Sequence, residues 1–195
     1  MNKGRLVFDF DGTLADTIEL IAKLISETLK TKLGVDVNYK DIIPLVGYPL
    51  PRIIEHFVPY ELFKPYEQEF WSAADRLMRN KAELYEDAKL VIPKLYDRGY
   101  ELIIYSGTPK EIIEDILGDY KKYFSIIKGG HGKYKGDFLL ELTPKPKAYI
   151  GDFYVDMEIA QKAKVPFILV RRDHNEYIDY PVKINSLLDL LDLFP

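Results

Sequence analysis

Leu6-Val7-Phe8-Asp9-Phe10-Asp11-Gly12-Thr13 is the stretch on which the reading of this chain turns. Three apolar residues make a short buried strand. Two carboxylates follow at its end, two residues apart, before a Gly turn and a hydroxyl. A charge beside a core has to be hydrogen-bonded, paired or held on a metal, or its pKa shifts until it is neutral. The spacing therefore suggests a site where acids collect around a cation. Asp-Gly is also a common turn dipeptide, so partners for these acids have to come from elsewhere in the chain.

Four more segments read as buried strands: residues 101–105, 124–127, 147–150 and 166–170. They are short and continuously apolar rather than alternating, as strands covered on both faces should be. Helical stretches at 89–98, 110–117 and 155–163 separate most of them, and such alternation predicts an α/β fold with a Rossmann-like parallel sheet. Residues 186–194 read as a closing amphipathic helix. From about Asp16 to Leu84 no convincing strand appears. Pro44, Pro49, Pro51, Pro59 and Pro65 interrupt a helical pattern in which Ile18, Ile21, Ile25 and Leu29 mark one face. The expected division is an α/β core of residues 1–15 and 85–195 with an all-helical insertion at 16–84. Phe57, Phe63, Tyr66, Phe70 and Trp71 supply its aromatic core rather than a platform for stacking bases.

Ligands of open parallel sheets bind outside the carboxyl ends of the strands. Here those ends carry Asp9 and Asp11, then Ser106-Gly107-Thr108, then Gly129-Gly130-His131-Gly132-Lys133, then Gly151-Asp152-Phe153-Tyr154-Val155-Asp156. Carboxylates, a hydroxyl beside a glycine, a lysine on a glycine-rich loop and two further carboxylates meet at one sheet edge. Phosphoryl transfer needs this set. An oxygen-lined pocket suits Mg²⁺, a carboxylate can be the nucleophile, and an acid must serve the leaving group. Ser106 and nearby backbone N–H groups can hold phosphoryl oxygens, while a lysine supplies a point charge.

With these residues the chain resembles the haloacid dehalogenase superfamily, and within it the phosphoglycolate phosphatase-like group that carries a helical cap after the first motif. The resemblance spans nearly the whole chain, with the motifs in family order. It implies that Asp9 is the nucleophile, becoming an aspartyl-phosphate. Asp11 is implied as general acid and base, its backbone carbonyl reaching the metal. The implied metal set is Asp9, Asp11 and Asp152, with Thr13 and Asp156 in support, and Ser106 and Gly107 bind phosphate. The family often has Lys-Pro-x-Pro-Asp at its third motif. This chain has Lys133-Tyr134-Lys135-Gly136-Asp137, without prolines, so Lys133 and Lys135 compete for that role. An acid at Asp11 implies an oxygen leaving group that needs a proton, not a halide. The implied activity is Mg²⁺-dependent hydrolysis of a small phosphorylated metabolite. The alternatives are a phosphomutase of the same superfamily and a non-catalytic phosphate-binding regulatory module.

Size and composition are compatible with this. The chain has 195 residues, room for one decorated domain, with 47% hydrophobic and 30% charged residues. A formal net charge of -4 and the lack of a basic stripe argue against a nucleic-acid partner. Lys121-Lys122 and Arg171-Arg172 read as solvated pairs. There is no cysteine, hence no thiol nucleophile or thiolate metal site. No apolar run approaches membrane-spanning length, and the first strand begins within a few residues, so no membrane association and a cytoplasmic location are expected. A homodimer is left open by the aromatic-rich insertion. In Leu45-Val46-Gly47-Tyr48-Pro49-Leu50, Gly47 could allow close backbone approach to substrate, and Arg52 could meet a substrate carboxylate. An ordinary helix-connecting loop accounts for both equally well. His131 could touch substrate from its glycine loop. His56 and His174 read as structural or surface residues, and Asp16 and Thr17 as a hinge or a helix cap.

Overall fold

The structure is a computed structural model that describes residues 3–130 and 138–195. Its strands are β1 Arg5–Phe8, β2 Ala15–Asp16, β3 Glu83–Leu84, β4 Glu101–Tyr105, β5 Phe124–Lys128, β6 Ala148–Gly151, β7 Phe167–Val170 and β8 Lys183–Ile184. Six of them form one sheet in the order β5-β4-β1-β6-β7-β8, with every pairing parallel. The chain runs outward from β1 through β4 to β5, then returns to the other side of β1 with β6. The ends of β1, β4 and β6 thus surround the point where the strand order reverses, the place where such sheets bind ligands.

Register brings those ends level. Phe8 pairs with Ile104 of β4 and with Ile150 of β6, so Asp9, Ser106 and Asp152 emerge along one rim. Alternation sorts the side chains onto two faces. Leu6, Phe8, Leu102, Ile104, Ile150 and Val170 pack on one side with Val91, Ile92 and Leu95 of the helix Glu86–Asp97. Val7, Ile103, Tyr105, Tyr149 and Leu169 pack on the other with Ile159 and Ala160 of the helix Tyr154–Ala163. Both faces are covered, which is why these strands carry apolar runs rather than a polar outer face.

Between β2 and β3 the chain is helical. The helix Ile18–Leu33 buries Ile18, Ala22, Ile25 and Leu29 and ends at Gly34, whose left-handed backbone (φ 67°) caps it. With the helix Glu67–Lys81 and shorter turns it encloses a separate apolar cluster including Ile42, Ile54, Phe63 and Phe70. The ends of this segment are tied by β2 and β3, which pair antiparallel, Ala15 with Leu84 and Asp16 with Glu83. These two-residue strands occupy positions that the sequence pattern assigned to no strand. β8 is a further short strand outside that pattern. The expected closing helix is instead a 3-10 turn, Leu187–Asp189, followed by the short helix Leu190–Leu193. Among the described residues no helix is long and apolar enough to cross a membrane.

Candidate active site

Asp9 leaves β1 as its backbone N–H donates to the Ile150 carbonyl of β6 at 2.8 Å. The chain then turns tightly, with Leu14 and Ala15 N–H both donating to the Phe10 carbonyl. Gly12 sits at φ 75°, a conformation that favours glycine. A side chain there would also press into the Asp152 carboxylate and lie 2.9 Å from Ile18. The turn is therefore built to admit Asp152 from the neighbouring strand end.

Asp9, Asp152 and Asp156 come together, with one carboxylate oxygen of each within 4.8 Å of the others. All three are buried, at 4%, 2% and 2% exposure. Asp152 is held from three directions. Thr13 Oγ1 donates to its Oδ1 at 3.0 Å, His174 Nε2 lies 2.6 Å from its Oδ2, and Asn175 Nδ2 donates to its backbone carbonyl at 2.8 Å. Asp156, in the first turn of the helix Tyr154–Ala163, accepts from the Tyr149 hydroxyl at 2.7 Å and from the Phe153 N–H at 3.3 Å. Three buried carboxylates this close repel one another unless a cation or protons intervene. A hard, all-oxygen donor set of this kind fits Mg²⁺.

The carboxylate of Asp11 points elsewhere. Its Oδ1 accepts from Thr17 Oγ1 at 2.9 Å, and its Oδ2 accepts from Ser106 Oγ at 3.0 Å and Thr108 Oγ1 at 2.7 Å. Hydroxyls can donate or accept, so this surround can follow a proton on or off Asp11. The Ser106 hydroxyl also accepts from the Thr108 N–H at 3.0 Å, which folds the loop after β4 around the carboxylate. Gly107 and Thr108 line a cavity of about 140 Å³ that opens over Asp9, Asp11, Asp152 and Asp156 and is roofed by the helical segment.

The sequence-derived set thus divides. Asp9, Asp152 and Asp156 share one cluster, Thr13 braces it, and Asp11 joins Ser106 in a second group. Lys133, Lys135 and His131 lie outside the described residues. His56 is exposed, its Nδ1 2.8 Å from the Arg52 carbonyl. Arg52 is exposed too and stacks on the Tyr48 ring at 3.7 Å. Gly47, at φ 122°, approaches Phe153, and an added Cβ there would collide with that ring.

Three contributors escaped the sequence reading. Thr108 carries no signal apart from its place beside Ser106. His174, read as structural or surface, takes the structural role and touches a carboxylate of the acid cluster, a contact the sequence did not point to. Arg172 is no solvated arginine either. Its Nη1 and Nη2 bind both oxygens of Asp87 at 2.9 and 3.0 Å, Nη2 also donates to the Thr13 carbonyl at 2.9 Å, and the guanidinium lies 3.9 Å from the Tyr85 ring centroid. Burial, and next the nearby Asp16 carboxylate, push the Tyr85 phenol well above its ordinary pKa, with Arg172 opposing. It therefore stays a neutral hydroxyl beside Asp16, at the β2–β3 pair.

The haloacid dehalogenase-like hydrolase family matches residues 6–170, nearly the whole sheet and the entire cluster. The chain belongs to this family. It is 29% identical to the pyrophosphatase PpaX of Listeria monocytogenes, over 82% of this chain and 79% of that protein. It is 25% identical to the phosphoglycolate phosphatase of Aquifex aeolicus, over 81% and 80%. Among solved structures, a haloacid dehalogenase-like family protein of Streptococcus pneumoniae shares the fold, with a TM-score of 0.77 and 20% identity over 98% of both chains. The chain is thus a hydrolase of the haloacid dehalogenase type.

Proposed function

We propose that this hydrolase is a Mg²⁺-dependent phosphatase acting on a small phosphomonoester through an aspartyl-phosphate. The observation that carries the reading is the split of the two acids of one motif into different surroundings. Asp9 sits in the buried carboxylate cluster and Asp11 among three hydroxyls on the cavity wall. Two carboxyls with different tasks need different environments. The names of the curated relatives, phosphatases and pyrophosphatases, point to the same chemistry.

In this reading Asp9 attacks phosphorus in line, forming a carboxylate–phosphorus bond as the bond to the leaving oxygen breaks. Asp11 gives its proton to that oxygen. It then takes a proton from the water that attacks the aspartyl-phosphate, and inorganic phosphate leaves with Asp9 restored. Asp9, Asp152 and the backbone carbonyl of Asp11 would hold Mg²⁺, with Asp156 supporting from the same cluster, and the ion's charge would offset repulsion between these carboxylates and the phosphoryl oxygens. Ser106 and the Gly107–Thr108 backbone would donate hydrogen bonds to phosphoryl oxygens. Lys133 or Lys135 adds the remaining positive charge. Residues 16–84 act as a cap, hinged on the β2–β3 pair, and its closure excludes bulk water.

The test is phosphate release from an aryl phosphate. Purified protein with Mg²⁺ is expected to turn the ester over, and Asp9→Asn to lower kcat at least about a thousandfold, the scale of losing a group that acts only in the transition state. Retention of turnover by Asp9→Asn sinks the mechanism. Product analysis on a sugar phosphate separates hydrolysis from the phosphomutase alternative.

A further inference from the structure

The cavity above the acids is apolar on its cap side. Ile21, Leu50, Ile53, Phe70, Trp71 and Met78 form much of its wall. The indole N–H of Trp71 donates to Glu67 at 3.3 Å and its ring packs edge-on against Phe70, with centroids 5.1 Å apart. That leaves apolar ring surface for the cavity. Among the described residues lining the cavity there is no Lys, Arg or His. The charged ones are all acids: Asp9, Asp11, Asp152, Asp156 and, on the cap side, Asp75. No partner of opposite charge is described for Asp75. Arg52, for which the sequence left open a substrate carboxylate or an ordinary exposed loop, is not part of the lining.

Such a wall selects strongly by charge. A second anionic group, whether carboxylate or phosphate, would lose its hydration against the apolar cap-side surface and meet Asp75 with no compensating cation among the described residues. An apolar leaving group gains by the same burial. Resting on the phosphatase reading above, we infer that the preferred substrate is the phosphomonoester of an uncharged, apolar alcohol. It is not a phosphate ester whose leaving group bears a second anion. This sets the chain apart from the substrates named for its relatives, phosphoglycolate and pyrophosphate, both of which carry that second anion.

The test uses a matched pair, para-methylbenzyl phosphate and para-carboxybenzyl phosphate, which differ in charge at similar size and leaving-group basicity. With Mg²⁺, kcat/KM is expected to favour the methyl compound at least about tenfold, with phosphoglycolate and pyrophosphate lower still. The Asp75→Lys variant should narrow the methyl preference by about fivefold, and an unchanged preference there counts against exclusion by like charge. Equal turnover of the pair, or a preference for the carboxylate, overturns the inference while leaving the phosphatase reading intact. If neither ester is turned over, the phosphatase reading fails instead. Calorimetry with the two corresponding benzylphosphonates then still decides the pocket: tighter binding of the methyl compound supports it, and equal, weaker or absent binding overturns it.

Discussion

Asp152 shows how much of this site rests on single contacts. Its two oxygens and its carbonyl are each held by a different residue, Thr13, His174 and Asn175. Residues that orient a metal-binding carboxylate set its affinity nearly as much as the ligand does. His174→Ala is therefore expected to weaken Mg²⁺ binding about tenfold, read by calorimetric titration of the metal alone, with His174→Gln recovering part of the loss. Unchanged affinity in His174→Ala would show that Thr13 and Asn175 suffice. Gly12 belongs to the same scale, since its bare Cα leaves the space that the Asp152 carboxylate fills. The family motif makes Asp152 visible in sequence. Nothing local marks His174, which lies 22 residues further on and reaches Asp152 only through the path of the chain after β7.

At the scale of elements, one ion pair ties four pieces of the core together. Arg172 follows β7, Asp87 opens the helix Glu86–Asp97, the Thr13 carbonyl belongs to the turn after β1, and Ser186 and Leu187 precede the last helix. Asp87 accepts from Ser186 Oγ at 3.1 Å and from the Leu187 N–H at 2.9 Å, besides both Arg172 nitrogens. Burial acts to raise the Asp87 pKa, but the hydrogen bonds from Arg172 and Leu187 outweigh it and hold the carboxyl below its ordinary value. A carboxyl depressed in the folded state binds its proton more readily when unfolded. Its stabilisation is therefore present above about pH 4 and lost as pH falls through the folded value. Asp87→Asn should cost about 2 kcal/mol near neutral pH, measured by urea unfolding. The gap to the unaltered protein should close in acid. A gap that persists unchanged below about pH 4 would assign the cost to packing rather than to the charge. Two consecutive arginines gave no hint of this network, because the sequence cannot tell an arginine in solvent from one that meets an acid 85 residues away.

For the whole molecule, metal binding as proposed at the close acids would couple to folding. A cation that binds only the native state adds RT ln(1 + [L]/Kd) to its stability. At about a hundredfold excess over Kd this is about 2.7 kcal/mol, so Mg²⁺ should raise Tm by several degrees and a chelator should reverse the shift. A Tm indifferent to Mg²⁺ would remove the acid cluster as a metal site.

Much of the molecule was determined by sequence alone. The strand Glu101–Tyr105 and the helix residues 110–117 stand where their apolar patterns place them, because burial on both faces of a parallel sheet leaves a local signature. The acids at the strand ends were legible for the same reason, since a charge directly after an apolar run is costly without a purpose. Two-residue strands such as β2, β3 and β8 are too short to show a period, and they form only because a partner lies alongside. Tertiary structure alone decided which acid meets which partner. Thr13 finds Asp152 across 139 residues, and Asp11 finds Ser106 across 95. Sheet register sets those meetings, and register is a property of the packed sheet rather than of any one segment. The apolar, anion-repelling roof over the site is decided at the same level, because it exists only where the helical segment faces the strand ends.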